Sequence, residues 1–109
     1  MARVVPVAFV FFLCGCASAL YDWNIQHAEI STEARLTHAE VDQIIRTVTQ
    51  KSLSTILCIT RRIGGHGDDI VVYTLLQRDP DRFMAYHLEK DAGGVWQIIS
   101  YGVGSIIVC

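Results

Sequence analysis

Apolar and polar positions along this chain follow two different periods, and the change of period divides it. Val41, Ile44, Ile45 and Val48 recur at i, i+3, i+4 and i+7, while Asp42, Gln43, Arg46, Thr47 and Gln50 fill the opposite side. That is a single apolar stripe on a helix of 3.6 residues per turn. Immediately upstream, Thr37-His38-Ala39-Glu40 fits a capping box. There the threonine and glutamate side chains each take up a backbone N–H that a helix start leaves unpaired. The spacing predicts a helix over 39–51, and its apolar face has to be covered.

A sheet is the predicted cover. The runs 54–63, 70–78, 82–90 and 95–101 are rich in Ile, Val, Tyr, Phe and Thr, residues that suit a pleated, half-buried surface. Turn signals separate them: Gly64-Gly65-His66-Gly67-Asp68-Asp69, Asp79-Pro80-Asp81 and Asp91-Ala92-Gly93-Gly94. Pro80 lacks an N–H and suits a turn better than a central strand. In the third run Phe83, Ala85, His87 and Glu89 form one row, and Met84, Tyr86, Leu88 and Lys90 the other. Residues 103–109 are expected to return as a short extra strand that brings Cys109 towards Cys58. Each connection between runs is too short for a crossover, which predicts antiparallel pairing. Upstream of residue 36 the signal is weak. Trp23, Ile25 and His27 alternate with polar residues, which predicts a short edge strand or a tether. The fold class expected is α+β: one amphipathic helix packed on a four- to five-stranded antiparallel meander.

That arrangement, closing in Leu88-Glu89-Lys90, Gly93-Gly94 and Val95-Trp96-Gln97-Ile98, resembles small NTF2-like or cystatin-like domains over about residues 36 to 101. The resemblance implies a helix laid across a curled sheet, with room between them for a small apolar ligand. It does not imply protease inhibition. The cystatin pattern Q-x-V-x-G is missing, since Gln97-Ile98-Ile99-Ser100-Tyr101 lacks the final glycine.

The most apolar run lies at the start. Arg3 is followed by an uncharged, almost wholly apolar stretch from Val4 to Leu13, the n-region and h-region of a secretory signal peptide. A membrane-spanning helix needs about twenty apolar residues, and this stretch has half as many. Leu13-Cys14-Gly15-Cys16 resembles the bacterial lipobox, with small Gly15 before the cysteine whose thiol accepts lipid. Ala17-Ser18-Ala19 competes as an ordinary A-x-A cleavage site. The lipobox predicts a signal peptide over 1–15, a lipidated N-terminus at Cys16 with a tether or edge strand to residue 35, and a small domain over 36–109. By resemblance to Gram-negative lipoproteins, Ala17 after the cysteine implies an outer-membrane location on the periplasmic face. Cleavage after Ala19 implies instead a soluble periplasmic or secreted protein.

Export changes how charge and cysteine content are read. The whole chain has nine basic and eleven acidic residues. Loss of Arg3 with the leader takes the formal charge from −2 to −3. With no basic cluster to neutralise phosphates, nucleic acid is not an expected partner. Of four cysteines, Cys14 leaves with the leader and Cys16 takes the lipid. Cys58 and Cys109 remain, in a compartment where disulfides persist. A bridge between them is expected, the alternative being two separate thiols with Cys58 a small apolar core residue. No C-x-x-C or paired-histidine spacing points to a metal site or any other cofactor.

Candidate chemistry is sparse. His66, Asp68 and Asp69 sit where a hairpin turn requires glycine and aspartate for its backbone geometry. His87 and Glu89 share a row, and Tyr86 and Tyr73 lie in neighbouring strand positions. If His87 with Glu89 or Tyr86 lined a helix–sheet pocket, acid–base chemistry of the isomerase or dehydratase kind would follow; the alternative is that they face solvent. Trp23, Trp96 and Tyr101 form a patch for a protein partner only if Trp96 is not needed in the core. The expected role is a binding or structural module of the cell envelope, held to the membrane by lipid, with a protein or small apolar ligand as partner.

Overall fold

The structure is a computed structural model that describes residues 18–62, 69–76, 79, 81–104, 107 and 109. Cys16 with the leader, His66 and Asp68 with their turn, and Pro80 lie outside the described residues. Among the described residues, no helix is long and apolar enough to cross a membrane.

Two helices pack on a five-stranded mixed sheet. Residues 18–27 are helical (α1). Strand β1, Glu29–Ile30, follows, then one 3₁₀ turn at Thr32–Ala34, helix α2 at His38–Ser52, and strands β2 (Ile56–Arg61), β3 (Asp69–Leu75), β4 (Phe83–Lys90) and β5 (Trp96–Gly104). The strands lie side by side in chain order. From β2 to β5 every pairing is antiparallel, as the short connections require.

The purely antiparallel meander needs correction at one edge. β1 pairs parallel with β2, Glu29 beside Cys58 and Ile30 beside Ile59. The connection between them contains α2, and a helix is the usual way to bring the chain back for a parallel pairing.

Helix α2 starts as its sequence indicates. The Glu40 backbone N–H donates to Thr37 Oγ1 at 3.1 Å, and the Thr37 N–H donates to Glu40 Oε1 at 3.3 Å. Ile44, Ile45 and Val48 are fully buried. Beneath them lies the inward row of each strand, including Ile59, Ile70, Val72, Tyr86, Leu88 and Trp96. The Met84–Leu88 row therefore faces the helices. Trp96 closes the core at 3% exposure, whereas Trp23 and Tyr101 are more than half exposed. The three aromatics do not form one patch.

The second correction concerns the segment expected to be a tether or an edge strand through Trp23, Ile25 and His27. It is helix α1, packed into the same core through Tyr21 and, just past its end, Ala28. The residue it buries completely is polar: Asn24 is 0% exposed. Asn24 Nδ2 donates to Thr49 Oγ1 at 2.9 Å and to the Ser54 carbonyl at 3.2 Å; its Oδ1 accepts from the Ile56 N–H at 2.9 Å. One side chain thus joins α1, α2 and the start of β2. With Asn24 inward and Trp23 and Ile25 outward, the hydropathy of this segment points the wrong way for a helix. The edge strand that does form is the two-residue β1 downstream.

Cys58 and Cys109 form a disulfide across 51 residues of chain, with Cα atoms 6.3 Å apart. Closing a loop of that size stabilises by about 4 kcal/mol on the chain-entropy estimate. Cys58 pairs across the ladder with Tyr73, so the bridge lies on the face away from the helices. The expected separate strand from 103 onward is not seen as such: β5 runs unbroken through Gly104, which pairs with Phe83. A Cβ at Gly104 would meet Phe83 Cε2 at 3.0 Å, a tight contact that glycine avoids. Residues 105, 106 and 108 of that expected strand lie outside the described residues.

A polar clamp holds the β4–β5 hairpin to the start of α2. Glu40 Oε2 accepts from the Trp96 indole N–H at 2.8 Å and pairs with Lys90 Nζ at 3.1 Å. The indole hydrogen bond, with Lys90 and the Thr37 N–H assisting against partial burial, holds the Glu40 carboxyl below its ordinary value of 4.5. A carboxylate with a depressed folded-state pKa adds stability above the unfolded value and loses it as pH falls through the folded one. Glu40→Gln preserves the capping box, which accepts either residue, but gives up the charge. We expect it to cost about 1–2 kcal/mol at pH 7, the scale of a charge-assisted hydrogen bond. The difference from the native chain should shrink as pH falls below 4.5 and vanish once pH passes the lower value at which the folded carboxyl becomes protonated. Urea unfolding at pH 7 and at pH 3 measures both; an unchanged difference at pH 3 would remove Glu40 as the titrating group.

Candidate functional site

The sequence candidates are separated by the pleat of β4. Tyr86 faces the helices and is 6% exposed, while His87 and Glu89 lie on the opposite face. No hydrogen bond or ion pair joins His87 to Glu89 among the described residues. Glu89 is exposed and stands between Asp69 and Gln97 in the ladder. His87 lines a shallow groove of about 370 Å³ on the outer face with Tyr73 and Phe83, over a floor containing Ala85 and Gly102. Tyr73 and Phe83 meet edge to face at 5.2 Å. The groove brings an imidazole to an aromatic wall, but no carboxylate lines it. Cys58 is spent in the disulfide. Among the described residues, no group of three His, Cys, Asp or Glu side chains is gathered as metal ligands would be.

A second hollow lies where α2 ends. Ser52, Leu53, Ser54, Thr74, Leu75, Leu76, Met84 and Tyr86 line a pocket of about 280 Å³ at the helix terminus, with Thr74, Met84 and Tyr86 in the inward rows of β3 and β4 and Leu75 in the outward row opposite Phe83. Every one of these side chains is uncharged. Ser54 Oγ already donates to the Leu75 carbonyl, and Ser52 Oγ accepts from the Ser54 N–H at 3.2 Å. Thr74 differs. It is 1% exposed, and its Oγ1 has no hydrogen-bonding partner among the described residues.

That hydroxyl sits in the row of Ile70 and Val72, where valine would match its shape. An unpaired buried hydroxyl costs about 1–3 kcal/mol. Tyr86 is the second polar group of the pocket. Burial, with Tyr101 beside it, pushes its phenol above the ordinary value of 10.0, so it stays a neutral donor at physiological pH. The rim is unusual as well. Leu53, which ends α2, is 61% exposed and adopts φ 49° and ψ 42°. This left-handed conformation usually falls to glycine at a helix end and costs a branched residue about 1–2 kcal/mol.

Sequence reasoning named Tyr86 but not Thr74 or Leu53. Threonine is an ordinary strand residue, and only the burial of its neighbours marks this hydroxyl as stranded. A larger cleft of about 430 Å³ separates α1 from α2, lined by Ser18, Tyr21, Asp22, Arg46, Thr49 and Gln50. Its one guanidinium, Arg46, is already engaged by Asp42 at 3.3 Å and lies over the Tyr21 ring at 5.1 Å. No protein-family model, curated protein or solved structure matches this chain.

Proposed function

We propose that this chain is an exported cell-envelope lipoprotein, anchored through Cys16, whose folded part is a binding module. Two features support the two halves of the reading. The apolar leader ending in Leu13-Cys14-Gly15-Cys16 supports export and lipidation. The uncharged pocket at the end of α2 supports binding, and is the observation that carries the role. The finer kinship with cystatin-like or NTF2-like domains belongs to the same proposal. It draws on α2 lying across four antiparallel strands with a pocket beneath its end. An outer-membrane, periplasmic location follows from Ala17 if the host has two membranes.

Export and anchoring are tested together. In cells fed labelled palmitate, the native chain should incorporate label and Cys16→Ser should not. Intact mass should place the mature N-terminus at Cys16 with its acyl groups. A label-free chain beginning at Leu20 would refute the anchor and leave a soluble exported protein. Two acyl chains or more are what stable anchoring requires, at about 0.8 kcal/mol per buried methylene.

A further inference from the structure

We propose that the outward side of α1, centred on Trp23, lies against the phospholipid surface, with the Trp23 indole seated among the headgroups. This rests on reading Cys16 as the lipid anchor, and names the face of the domain that the anchor turns to the bilayer.

The chain brings this face to the lipid without any attraction. Helix α1 is in place by residue 18, two residues after Cys16, and Trp23 stands five residues further on. At 1.5 Å of rise per residue that is about 8 Å along the helix axis. Trp96, the other tryptophan, closes the core and cannot serve.

The make-up of the face fits a bilayer. Steps of about 100° per residue place Ala19, Trp23, Gln26 and His27 on one arc, all four exposed and none of them acidic. Asp22 and the buried Asn24 stand one step to either side of Trp23. Anionic headgroups repel carboxylates, so an arc without them suits such a surface.

The indole is both held and free to bind. His27 stacks on the Trp23 ring at 3.8 Å, and its Nδ1–H donates to the Trp23 carbonyl at 3.0 Å, which fixes the ring while half of the residue stays exposed. Among the described residues the Trp23 indole N–H has no partner. A ring with an apolar body and a free N–H collects at membrane–water boundaries, the ring against the acyl border and the N–H on a headgroup oxygen. Stable attachment needs more than one such signal. The contact therefore orients an anchored domain and does not replace its lipid.

The test uses the native acylated chain floated with vesicles of phosphatidylethanolamine and phosphatidylglycerol whose acyl chains are brominated, since bromine quenches an indole in contact with it. The chain has two tryptophans, so quenching of Trp23 alone should remove about half of the emission. Bromine near the head of the acyl chain should quench more than bromine at its end. Trp23→Phe, a change at an exposed position, should melt like the native chain and abolish the quenching, because only buried Trp96 is left. Acrylamide in the water should reach Trp23 in the soluble mature chain with Cys16→Ser and be excluded from it in the vesicle-bound chain.

Floating protein whose emission ignores brominated lipid overturns the proposal and leaves the anchor standing. Quenching that survives Trp23→Phe overturns it too, since a face near Trp96 would then meet the bilayer. Exclusion of acrylamide without quenching by bromine also does so, because protein and not lipid would then cover Trp23. A chain that carries no acyl group and does not float removes the anchor and this orientation together, and palmitate labelling identifies that case separately.

Discussion

Asn24→Leu should lower the unfolding free energy by about 3–5 kcal/mol, although leucine is close in size and better suited to a core. The substitution strands three buried groups at once: the Thr49 hydroxyl, the Ser54 carbonyl and the Ile56 N–H. Each unsatisfied group costs about 1–3 kcal/mol, and the three share one side chain, so the losses do not simply add. Small domains have about 5–15 kcal/mol to lose. Urea unfolding measures the change. Asn24→Asp separates hydrogen bonding from shape. It keeps the acceptor for Ile56 and can accept from the Thr49 hydroxyl, but it buries a carboxylate with one oxygen against the Ser54 carbonyl, so it should be at least as damaging. A loss below about 1 kcal/mol for the leucine variant would mean that α1 is not held by this side chain.

Ile44→Asp should abolish cooperative folding. Ile44 is fully buried against Ile45, Val48 and the inward rows of the sheet, where no cation is available to pair with a carboxylate. An isolated charge in such a site costs far more than the usual 0.5–3 kcal/mol of a point substitution. The expected result is loss of near-ultraviolet circular dichroism and of any sigmoidal thermal transition. Arg46→Asp, two residues along on an exposed position, is the control and should retain both. A cooperative melt near the native Tm for Ile44→Asp would place that helix face outside the core.

Legibility in the sequence followed the agreement between hydropathy and burial. Helix α2 was readable because its stripe and its capping box point the same way, and both are present. Strands β2 to β5 were readable to within a few residues because turn-forming residues separate runs of β-formers. Helix α1 was not. Its fully buried residue is an asparagine, while Trp23 and Ile25 face outward, so an alternating reading fitted better than a helical one. The parallel β1 was hidden for a different reason. Its two residues make no pattern of their own, and its pairing depends on where α2 returns the chain. Of the candidate site, Tyr86 was visible as a strand aromatic. The face it occupies was not, because both rows of β4 mix apolar with polar residues.

The stapling of α1 fixes how far the domain can travel if Cys16 carries lipid. The chain is helical from residue 18, and α1 is fastened to α2 and β2 through Asn24. Only Ala17 lies between Cys16 and residue 18, a leash of at most about 7 Å in full extension. A domain on so short a leash cannot sweep the space beyond the membrane to find what it binds. Its search is confined to a layer at the lipid surface, and encounters depend on lateral diffusion or on molecules that themselves come to the bilayer.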